Sequence, residues 1–230
     1  MQNRLDSFVV ARLLFSLIAA FILLFTPLST LASAGPDSYF YPAASKPFGK
    51  SYPEWAATWL KFVFENPDRL SDKTGALCSV NQTGNVWILP GASSGEFSRS
   101  CTIPNGTAIL ISPTEGFCNK QQTPSVGDNE VEIRKCAKED VDEDTHSSAT
   151  IDGVKISNLH DVNRIQSVLF DLKYPPGQGP YKTITDGVFL MLKPLSPGNH
   201  TLIQEAGSDK PGVPADQAWN YKVTYNLEVK

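Results

Sequence analysis

The sequence lacks an excess of positive charge: its 20 Lys and Arg are outnumbered by 24 Asp and Glu, which gives a net charge of -4. Proteins that bind nucleic acids rely on Lys and Arg to neutralise phosphates, so the composition argues against a nucleic-acid partner. Charged residues make up only 19% of the 230 residues, against 41% apolar ones. A chain of this kind can bury a sizeable core, which argues against a disordered protein.

Catalytic motifs with a strict spacing are also scarce. The sequence has no His-Glu-x-x-His zinc motif, no phosphate-binding Gly-rich loop and no dinucleotide fingerprint, and we expect no Gly-x-Ser-x-Gly nucleophile elbow. Only three histidines are present, none spaced as part of a ligand pair, and no Cys-x-x-Cys occurs. We therefore predict no metal and no cofactor, and we favour a protein that is not an enzyme.

The first 34 residues have the pattern of a secretory signal peptide. Arg4 and Arg12 precede an apolar run of 13 residues, and small residues end the segment at Ala34. An uncleaved anchor is the alternative, but such a run spans roughly 20 Å as a helix against roughly 30 Å of hydrocarbon. We predict cleavage before Gly35. Residues 35–230 would then form a single β-rich domain without a membrane span, either secreted or in a periplasmic or extracellular location.

Export would place the four cysteines in an oxidising compartment, which favours disulfides. They can pair in three ways. We favour Cys78 with Cys101 and Cys118 with Cys136, because each pair closes a local loop around a turn or a helix start. Each bond would contribute about 3 kcal/mol in the loop-entropy model. A bond between Cys101 and Cys118 stays open as an alternative.

The clearest helix begins after Ser51. Ser51 and Glu54 have the spacing of a capping box, and Pro67 ends the helix. The helix carries one apolar stripe at the spacings i, i+4, i+7 and i+8, made of Trp55, Trp59, Phe62 and Val63. We predict that this stripe packs on a sheet. An exposed aromatic platform for sugars is the alternative.

From residue 85 onward, short runs of strand-forming residues alternate with turns. The predicted strands are residues 86–89, 98–103, 107–112, 149–151, 154–156, 167–174, 187–195, 200–205 and 219–229. Two turn sequences indicate hairpins: Pro104-Asn105-Gly106 and Asp152-Gly153. A second, short helix from about residue 125 to 140 would carry Ile133, Ala137 and Val141 on one face.

These elements predict a mainly β (α+β) fold: a disulfide-stapled antiparallel β-sandwich with an N-terminal amphipathic helix packed on one sheet. The predicted strand at residues 187–195 has apolar residues on both faces. Val188, Leu190 and Leu192 lie on one face, and Phe189, Met191 and Leu195 lie on the other. A strand of this kind needs cover on both sides. The aromatic stripe of the helix is the best candidate for the second cover.

Five residues on or beside predicted core strands are candidates for ligand binding: Trp87, Arg164, Asp186, Lys193 and His200. Their polar groups could line a pocket, and aromatic side chains suit sugars or apolar ligands. The predicted partner is therefore a glycan or a small apolar ligand. Caps, turn residues and surface charges are the simpler roles for the same side chains.

Two acidic patterns leave other functions open. Paired carboxylates hydrolyse glycosides, and Asp186, Glu54 and Glu115 are candidate members of such a pair. The run at residues 139–144 has Asp at alternate positions, as in a calcium loop, but Thr145 and Ile151 stand where an EF-hand needs Gly and Glu. A loose calcium site in this run stays open.

Several segments resemble a family of exported microbial proteins with no known activity. They are residues 186–201, the helix start Glu54-Trp55, residues 74–78 followed by Val86-Trp87, and Arg99-Ser100-Cys101-Thr102. The resemblance covers most of the chain after residue 34. It implies export and a β-rich fold, and it brings no catalytic residues.

The sequence therefore predicts an exported, non-catalytic binding or surface-associated protein. An extracellular hydrolase acting on glycans or esters is the main alternative, and a purely structural envelope role is the third.

Overall fold

The structure, a computed structural model, describes residues 39–144, 146–156, 159, 163–175, 177–208 and 219–230. The predicted signal peptide at residues 1–34 lies outside these ranges, so its cleavage stays a prediction. Within the described residues, no helix combines the length and the apolar character needed to cross a membrane.

The described helices are α1 (Tyr52–Glu65), α2 (Asp68–Ser71) and α3 (Glu130–Val141), with short 3₁₀ turns at Pro47–Gly49 and Pro124–Val126. The described strands are β1 (Val86–Ile88), β2 (Gly95–Ile103), β3 (Ala108–Cys118), β4 (His146–Ile151), β5 (Val154–Ile156), β6 (Arg164–Gln166), β7 (Phe170–Leu172), β8 (Tyr181–Leu192), β9 (Gly198–Gly207) and β10 (Asn220–Val229).

These strands form two sheets. The first has the order β1-β3-β8-β6, with β7 also paired to β8, and the second has the order β2-β10-β9-β4-β5. Together with two disulfides, this is the predicted mainly β, sandwich-like class. Most pairs are antiparallel, but β1 runs parallel to β3 and β2 runs parallel to β10. No turn sequence signals such pairs, since parallel strands are joined by long connections.

The two predicted hairpins have different outcomes. Asp152 and Gly153 both have positive φ, 48° and 81°, and join the antiparallel pair β4 and β5 as predicted. The hairpin predicted at Pro104-Asn105-Gly106 is wrong. The strands on either side of it, β2 and β3, belong to different sheets. This turn therefore carries the chain from one layer to the other.

Strand β8 lies between two apolar layers, as its sequence predicts. Its Val188, Leu190 and Leu192 join the core between the sheets. Phe189 and Met191 pack against α1, where Trp59 is only 1% exposed. The packing role of the aromatic stripe is thus confirmed. Leu195 joins the core between the sheets rather than the α1 side, because β8 ends at Leu192 and the alternation ends with it.

The structure confirms the predicted helix caps and the favoured disulfide pairing. The backbone N–H of Ser51 donates to Glu54 Oε2 over 2.7 Å, and Asn129 caps α3 by accepting from the backbone N–H of Val131. Ile133, Ala137 and Val141 are buried on one face of α3. The structure joins Cys78 to Cys101 and Cys118 to Cys136, the favoured pairing. The first bond ties the segment before β1 to β2, and the second ties the end of β3 to α3.

Candidate functional site

The structure does not bring the five predicted ligand-binding residues together in one pocket. Trp87 is buried in the core between the sheets, where it is 9% exposed and packs as a core side chain. Arg164 and Asp186 contact each other. Lys193 is half-buried just after β8, and its backbone N–H donates to the carbonyl oxygen of Tyr39. His200 lies on β9 in a separate surface depression.

Arg164 and Asp186 form a structural clamp. Arg164 Nε donates to Asp186 Oδ1 over 2.7 Å, and its Nη1 contacts Asp142 Oδ1 at 2.5 Å. A third bond runs from Arg164 Nη2 to the carbonyl oxygen of Lys138. These bonds connect β6 and β8 to the last turn of α3. Because Asp186 is 4% exposed and occupied by Arg164, it is a poor candidate for a hydrolytic carboxylate.

His200 stands between a serine and an aspartate but cannot serve as their general base. Its Nδ1 is 2.7 Å from Asp152 Oδ2, and its Nε2 is 2.8 Å from the carbonyl oxygen of Ser196 and 3.4 Å from the Ser196 hydroxyl. A carbonyl oxygen only accepts hydrogen bonds, so Nε2 must carry a proton. Burial disfavours the charged imidazolium form of His200 and so lowers its pKa. The bonds to Asp152 and Ser196 have the opposite effect and outweigh burial, so the pKa of His200 is raised. Because Nε2 donates to the Ser196 carbonyl oxygen, it is not available to take a proton from the Ser196 hydroxyl.

A Gly-x-Ser-x-Gly spacing does occur, contrary to the expectation from the sequence. It is Gly91-Ala92-Ser93-Ser94-Gly95, in the connection from β1 to β2. A nucleophile elbow needs a strand, a sharp turn and then a helix. Here the spacing lies between two strands of different sheets. The pattern therefore does not create a nucleophile elbow.

The carboxylates of the acidic run at residues 139–144 bind different partners instead of converging on one point. Asp140 accepts from the backbone N–H of Phe117, Asp142 pairs with Lys138 and Arg164, and Asp144 accepts from the Thr114 hydroxyl. No cluster of three or more His, Cys, Asp or Glu able to hold a metal ion occurs in the described part of the chain. Each carboxylate has a protein partner, so the structure gives no support to a calcium loop in this run. Glu54 likewise caps α1.

A groove of about 580 Å³ lies between α1, the turn before it and the segment leading into β1. Its aromatic side is formed by Phe48, Trp55 and Phe62, and its polar rim includes the exposed Asn81, Thr83 and Asn85. Lys50, Lys61 and Glu65 also line it. A volume of this size is ordinary for a ligand-binding cleft. We call it the α1 groove.

Phe48 is the most unusual residue of the α1 groove. Its side chain is 44% exposed, and its backbone has a φ of 54°, in the left-handed region that non-glycine residues seldom adopt. The Tyr41 ring meets it edge to face, with centroids 6.0 Å apart. Trp55 Nε1 donates to the carbonyl oxygen of Pro47 over 2.9 Å and so anchors the turn that presents Phe48.

The opposite wall of the α1 groove is held rigid by side-chain amides and a buried guanidinium. Gln82 accepts from the backbone N–H of Ile88 and donates to its carbonyl oxygen, at 3.0 and 2.8 Å, as a neighbouring strand would. Arg69 is 4% exposed and donates to the carbonyl oxygens of Cys78, Val80 and Ile88. These bonds fix the groove wall through the protein's own backbone and side chains.

A second, smaller space lies beneath an irregularity in β3. The pairing of β3 with β8 shifts register between Ile111 and Thr114, which bulges the strand. The bulge borders a cavity of about 180 Å³, which we call the bulge cavity. Its lining comprises Trp59, Leu70, Gly91, Ala92, Ser93, Ser112, Pro113, Thr114, Glu115, Trp219 and Tyr221.

Buried Arg99 fixes the loop that closes one side of the bulge cavity. Arg99 Nη1 donates to the carbonyl oxygens of Pro90 and Gly91, at 2.9 and 3.0 Å, and to the Tyr225 hydroxyl at 2.7 Å. Tyr221 lies on the same strand as Tyr225 and donates its hydroxyl to the carbonyl oxygen of Pro113. The loop and the bulge are therefore both attached to β10.

Glu115 is the acidic residue among those that line the bulge cavity. Burial raises the pKa of its carboxyl well above the usual range. The nearby charges of Asp144 and Asp140 raise this pKa further, whereas a hydrogen bond from Ser112 lowers it. Burial also raises the pKa of Asp144, to about 6. Trp59 supplies a second unusual group: its Nε1 is buried and, among the described residues, has no hydrogen-bond partner. Perturbed carboxyls in a cavity are typical of functional sites.

Comparisons with known proteins assign no family. No protein-family model and no curated protein matches the chain. Among solved structures it is similar to PbICP-C in complex with falcipain-2, at 10% identity over 64% of this chain and 100% of the other, with a TM-score of 0.26.

Two further solved structures are similar at the same level. The cysteine protease inhibitor EhICP2 from Entamoeba histolytica has 15% identity over 61% of this chain and 95% of its own, with a TM-score of 0.23. Amebosin has 10% identity over 59% and 98%, with a TM-score of 0.18. Likenesses this weak establish neither a common fold nor a common function.

The functional candidates that sequence reasoning missed are Phe48 and the bulge cavity. The sequence alone indicates Glu115 only as one of several candidate hydrolytic carboxylates, and Trp59 only as a packing residue or part of an aromatic platform. The signal for Phe48 was its position between Pro47 and Gly49, where an aromatic residue has little reason to be buried. The cavity joins residues from five separate segments, which no local pattern connects.

Proposed function

We propose that this chain is an exported, non-catalytic protein that binds a glycan in the α1 groove. The single observation that supports this most is Phe48, an aromatic side chain held exposed at a positive φ on the edge of the α1 groove. An unfavourable backbone conformation persists only where its surroundings enforce it, and such positions concentrate at binding sites.

The chemistry of the α1 groove suits a sugar. Pyranose rings present C–H faces that pack on aromatic rings and hydroxyl groups that bond to amides. Phe48 and Phe62 supply aromatic surface, and the exposed Asn81, Thr83 and Asn85 supply donors and acceptors on the other side. Lys50 adds a positive charge, with its Nζ 4.7 Å from the centre of the Trp55 ring. Acidic sugars should therefore bind more tightly than neutral ones.

Export is the second part of the proposal. Two disulfides suit an oxidising compartment, and the first 34 residues have the sequence pattern of a signal peptide. Mass spectrometry of the protein recovered outside the cytoplasm should give Gly35 as its first residue. Recovery of the exported protein with an intact Met1 would contradict cleavage.

Isothermal titration calorimetry against neutral and uronic-acid oligosaccharides tests glycan binding. The wild-type protein should bind at least one member, and Phe48→Ala should weaken that binding roughly tenfold or more, the usual effect of losing an aromatic anchor. Val131→Ala is the matched control, because Val131 is an equally superficial apolar residue, 70% exposed on α3. Absence of binding by any oligosaccharide, or equal affinity in Phe48→Ala, would overturn the proposal.

A further inference from the structure

We infer that Asn105 is a site of spontaneous modification, at which the folded chain converts its own asparagine into aspartate and isoaspartate without an enzyme. The site lies in the turn Pro104-Asn105-Gly106, which carries the chain from β2 to β3 and so from one sheet to the other. None of these residues lines the α1 groove, so the inference does not rest on the proposed function.

The reaction starts at the backbone nitrogen that follows the asparagine. The nitrogen of Gly106 attacks the side-chain carbonyl carbon of Asn105, Cγ, so that an N–Cγ bond forms while the Cγ–Nδ2 bond breaks. The side-chain nitrogen leaves as ammonia and takes the proton of the backbone N–H. Water then opens the resulting succinimide ring at either of its carbonyl groups, which gives aspartate or isoaspartate. Water is therefore the only co-reactant.

The first observation is that the attacking nitrogen of Gly106 is accessible. Gly106 has a φ of 80°, and a β-carbon built on it would meet no atom within 4 Å. Its N–H donates to no acceptor among the described residues, whereas the N–H groups on either side are bonded. Asn105 N–H donates to the carbonyl oxygen of Lys230 over 2.9 Å, and Thr107 N–H to that of Pro104 over 3.2 Å. Glycine also has no side chain that could shield its nitrogen.

The second observation is that the Asn105 side chain is free to turn. It is exposed, and within the described part of the chain its amide forms no hydrogen bond. Other asparagines of the turns and caps are held in place. Asn81 Nδ2 donates to Asn66 Oδ1 over 2.6 Å, and Asn129 Oδ1 accepts from the backbone N–H of Val131. The Asn105 amide can therefore approach the Gly106 nitrogen without first breaking a bond.

The two Asp-Gly pairs of the sequence show the opposite arrangement. They are Asp152-Gly153 and Asp186-Gly187, and the same attack there would release water. Asp152 is held through both oxygens: Oδ2 lies 2.7 Å from His200 Nδ1, and Oδ1 accepts from the backbone N–H of Thr201 over 2.8 Å. Asp186 is 4% exposed and bonded to Arg164. Of these three pairs, the structure leaves only Asn105-Gly106 unlocked.

Modification should weaken the crossing between the sheets. Isoaspartate routes the main chain through the former side chain and so lengthens it inside the turn that Thr107 N–H closes onto the Pro104 carbonyl oxygen. The bond from Asn105 N–H to Lys230, which attaches the turn to the end of β10, lies at the same point. The isoaspartate form, separated by its extra negative charge on an ion exchanger, should unfold at a lower urea concentration than the unmodified protein.

Peptide mapping of the full chain tests the inference. The folded protein is kept in mildly alkaline buffer for several days, then reduced, digested and analysed by mass spectrometry, where each conversion adds about 1 Da. The modified fraction at Asn105 should exceed that at Asn199 severalfold. Asn199 is the internal control, because it is equally exposed but is followed by His200 instead of glycine. Asn105→Gln should abolish the modification, because glutamine would have to close a larger ring.

A second arm tests the locked carboxylate. His200→Ala removes the imidazole that holds Asp152, so isoaspartate at Asp152 should rise severalfold over the wild type while Asn105 reacts as before. Urea unfolding checks that the variant is folded. In the denatured wild type, where no lock exists, Asp152 should likewise react faster than in the folded protein.

The inference is overturned if Asn105 is modified no more than Asn199, or if Asp152 in the folded wild type reacts as readily as Asn105. Unchanged reactivity of Asp152 in both His200→Ala and the denatured chain would contradict the argument from locked side chains. None of these measurements involves a glycan, so failure of binding in the α1 groove leaves them unaffected.

Discussion

Trp59 and Phe189 meet edge to face, with ring centroids 6.0 Å apart and an interplanar angle of 74°. This contact joins α1 to β8, the strand that lies between the core of the two sheets and the apolar layer formed with α1. Trp59 also lines the bulge cavity.

Replacing Trp59 by Ala should cost about 3 to 5 kcal/mol in the free energy of unfolding, as for other large buried aromatic residues. Trp59→Phe should cost much less, because it keeps an aromatic ring against Phe189 and removes an N–H that has no partner among the residues the structure describes. Urea denaturation measures both changes. An unfolding midpoint unchanged by Trp59→Ala would mean that α1 is not packed on β8.

The backbone at Phe48 gives a prediction that separates strain from side-chain loss. Glycine adopts a positive φ without penalty, whereas the β-carbon of alanine makes this conformation unfavourable. Phe48→Gly should therefore be more stable than Phe48→Ala by about 1 kcal/mol, although both remove the ring and both should lose glycan binding. Thermal or urea unfolding compares the two variants. Equal stabilities would show that the left-handed conformation is not enforced.

His200 should make stability depend on pH. The pKa of an unperturbed imidazole is about 6.5, and the folded protein raises that of His200 through its bonds to Asp152 and Ser196. A raised pKa contributes stability that is fully present below the unfolded value and is lost as pH rises through the folded value. Urea midpoints of wild type and His200→Gln should therefore converge from about pH 5 to pH 9. A gap that is constant or widens would contradict the stabilising bonds of His200 to Asp152 and Ser196.

Gly91 should tolerate no side chain, because a β-carbon there would lie 2.5 Å from the Tyr221 hydroxyl oxygen. Gly91→Ala should destabilise the protein by about 1 to 3 kcal/mol, as overpacking usually does. The ring atoms Cζ and Cε2 of Tyr221 would be almost as close, at 2.6 and 2.9 Å, so the cost of Gly91→Ala should be smaller in a Tyr221→Ala background, which removes the whole ring. A double-mutant cycle by urea unfolding measures the coupling, and strictly additive costs would contradict the close contact.

The parts of the fold that were predictable from the sequence depend on local spacing. The capping box at Ser51 and Glu54, the Asp152-Gly153 hairpin and the doubly apolar strand β8 are all of this kind. The hairpin prediction at Pro104-Asn105-Gly106 was wrong, because the same turn residues suit a hairpin and a connection that carries the chain from one sheet to the other. The parallel pairing of β2 with β10 joins segments more than a hundred positions apart, and no turn sequence indicates it.

The candidate sites were less predictable than the fold. Arg164 and Asp186 do meet, but as an ion pair, and the sequence could not show that Trp87 is a core residue. The α1 groove depends on the left-handed turn at Phe48, and the bulge cavity depends on a register shift in β3. Neither feature leaves a repeating pattern in the sequence: the turn depends on single contacts from Tyr41 and Trp55, and the cavity is lined by segments far apart in the chain.

The most direct test of the α1 groove as a glycan site is a map of ligand-induced shifts in the amide and indole signals of the ¹⁵N-labelled protein, titrated with the oligosaccharide that calorimetry ranks first. The account predicts saturable shifts at Phe48, at the Trp55 indole N–H and along residues 81–85, with the Val131 signal unmoved. Shifts confined to other surfaces, or no shift at the concentration that saturates calorimetric binding, would contradict it.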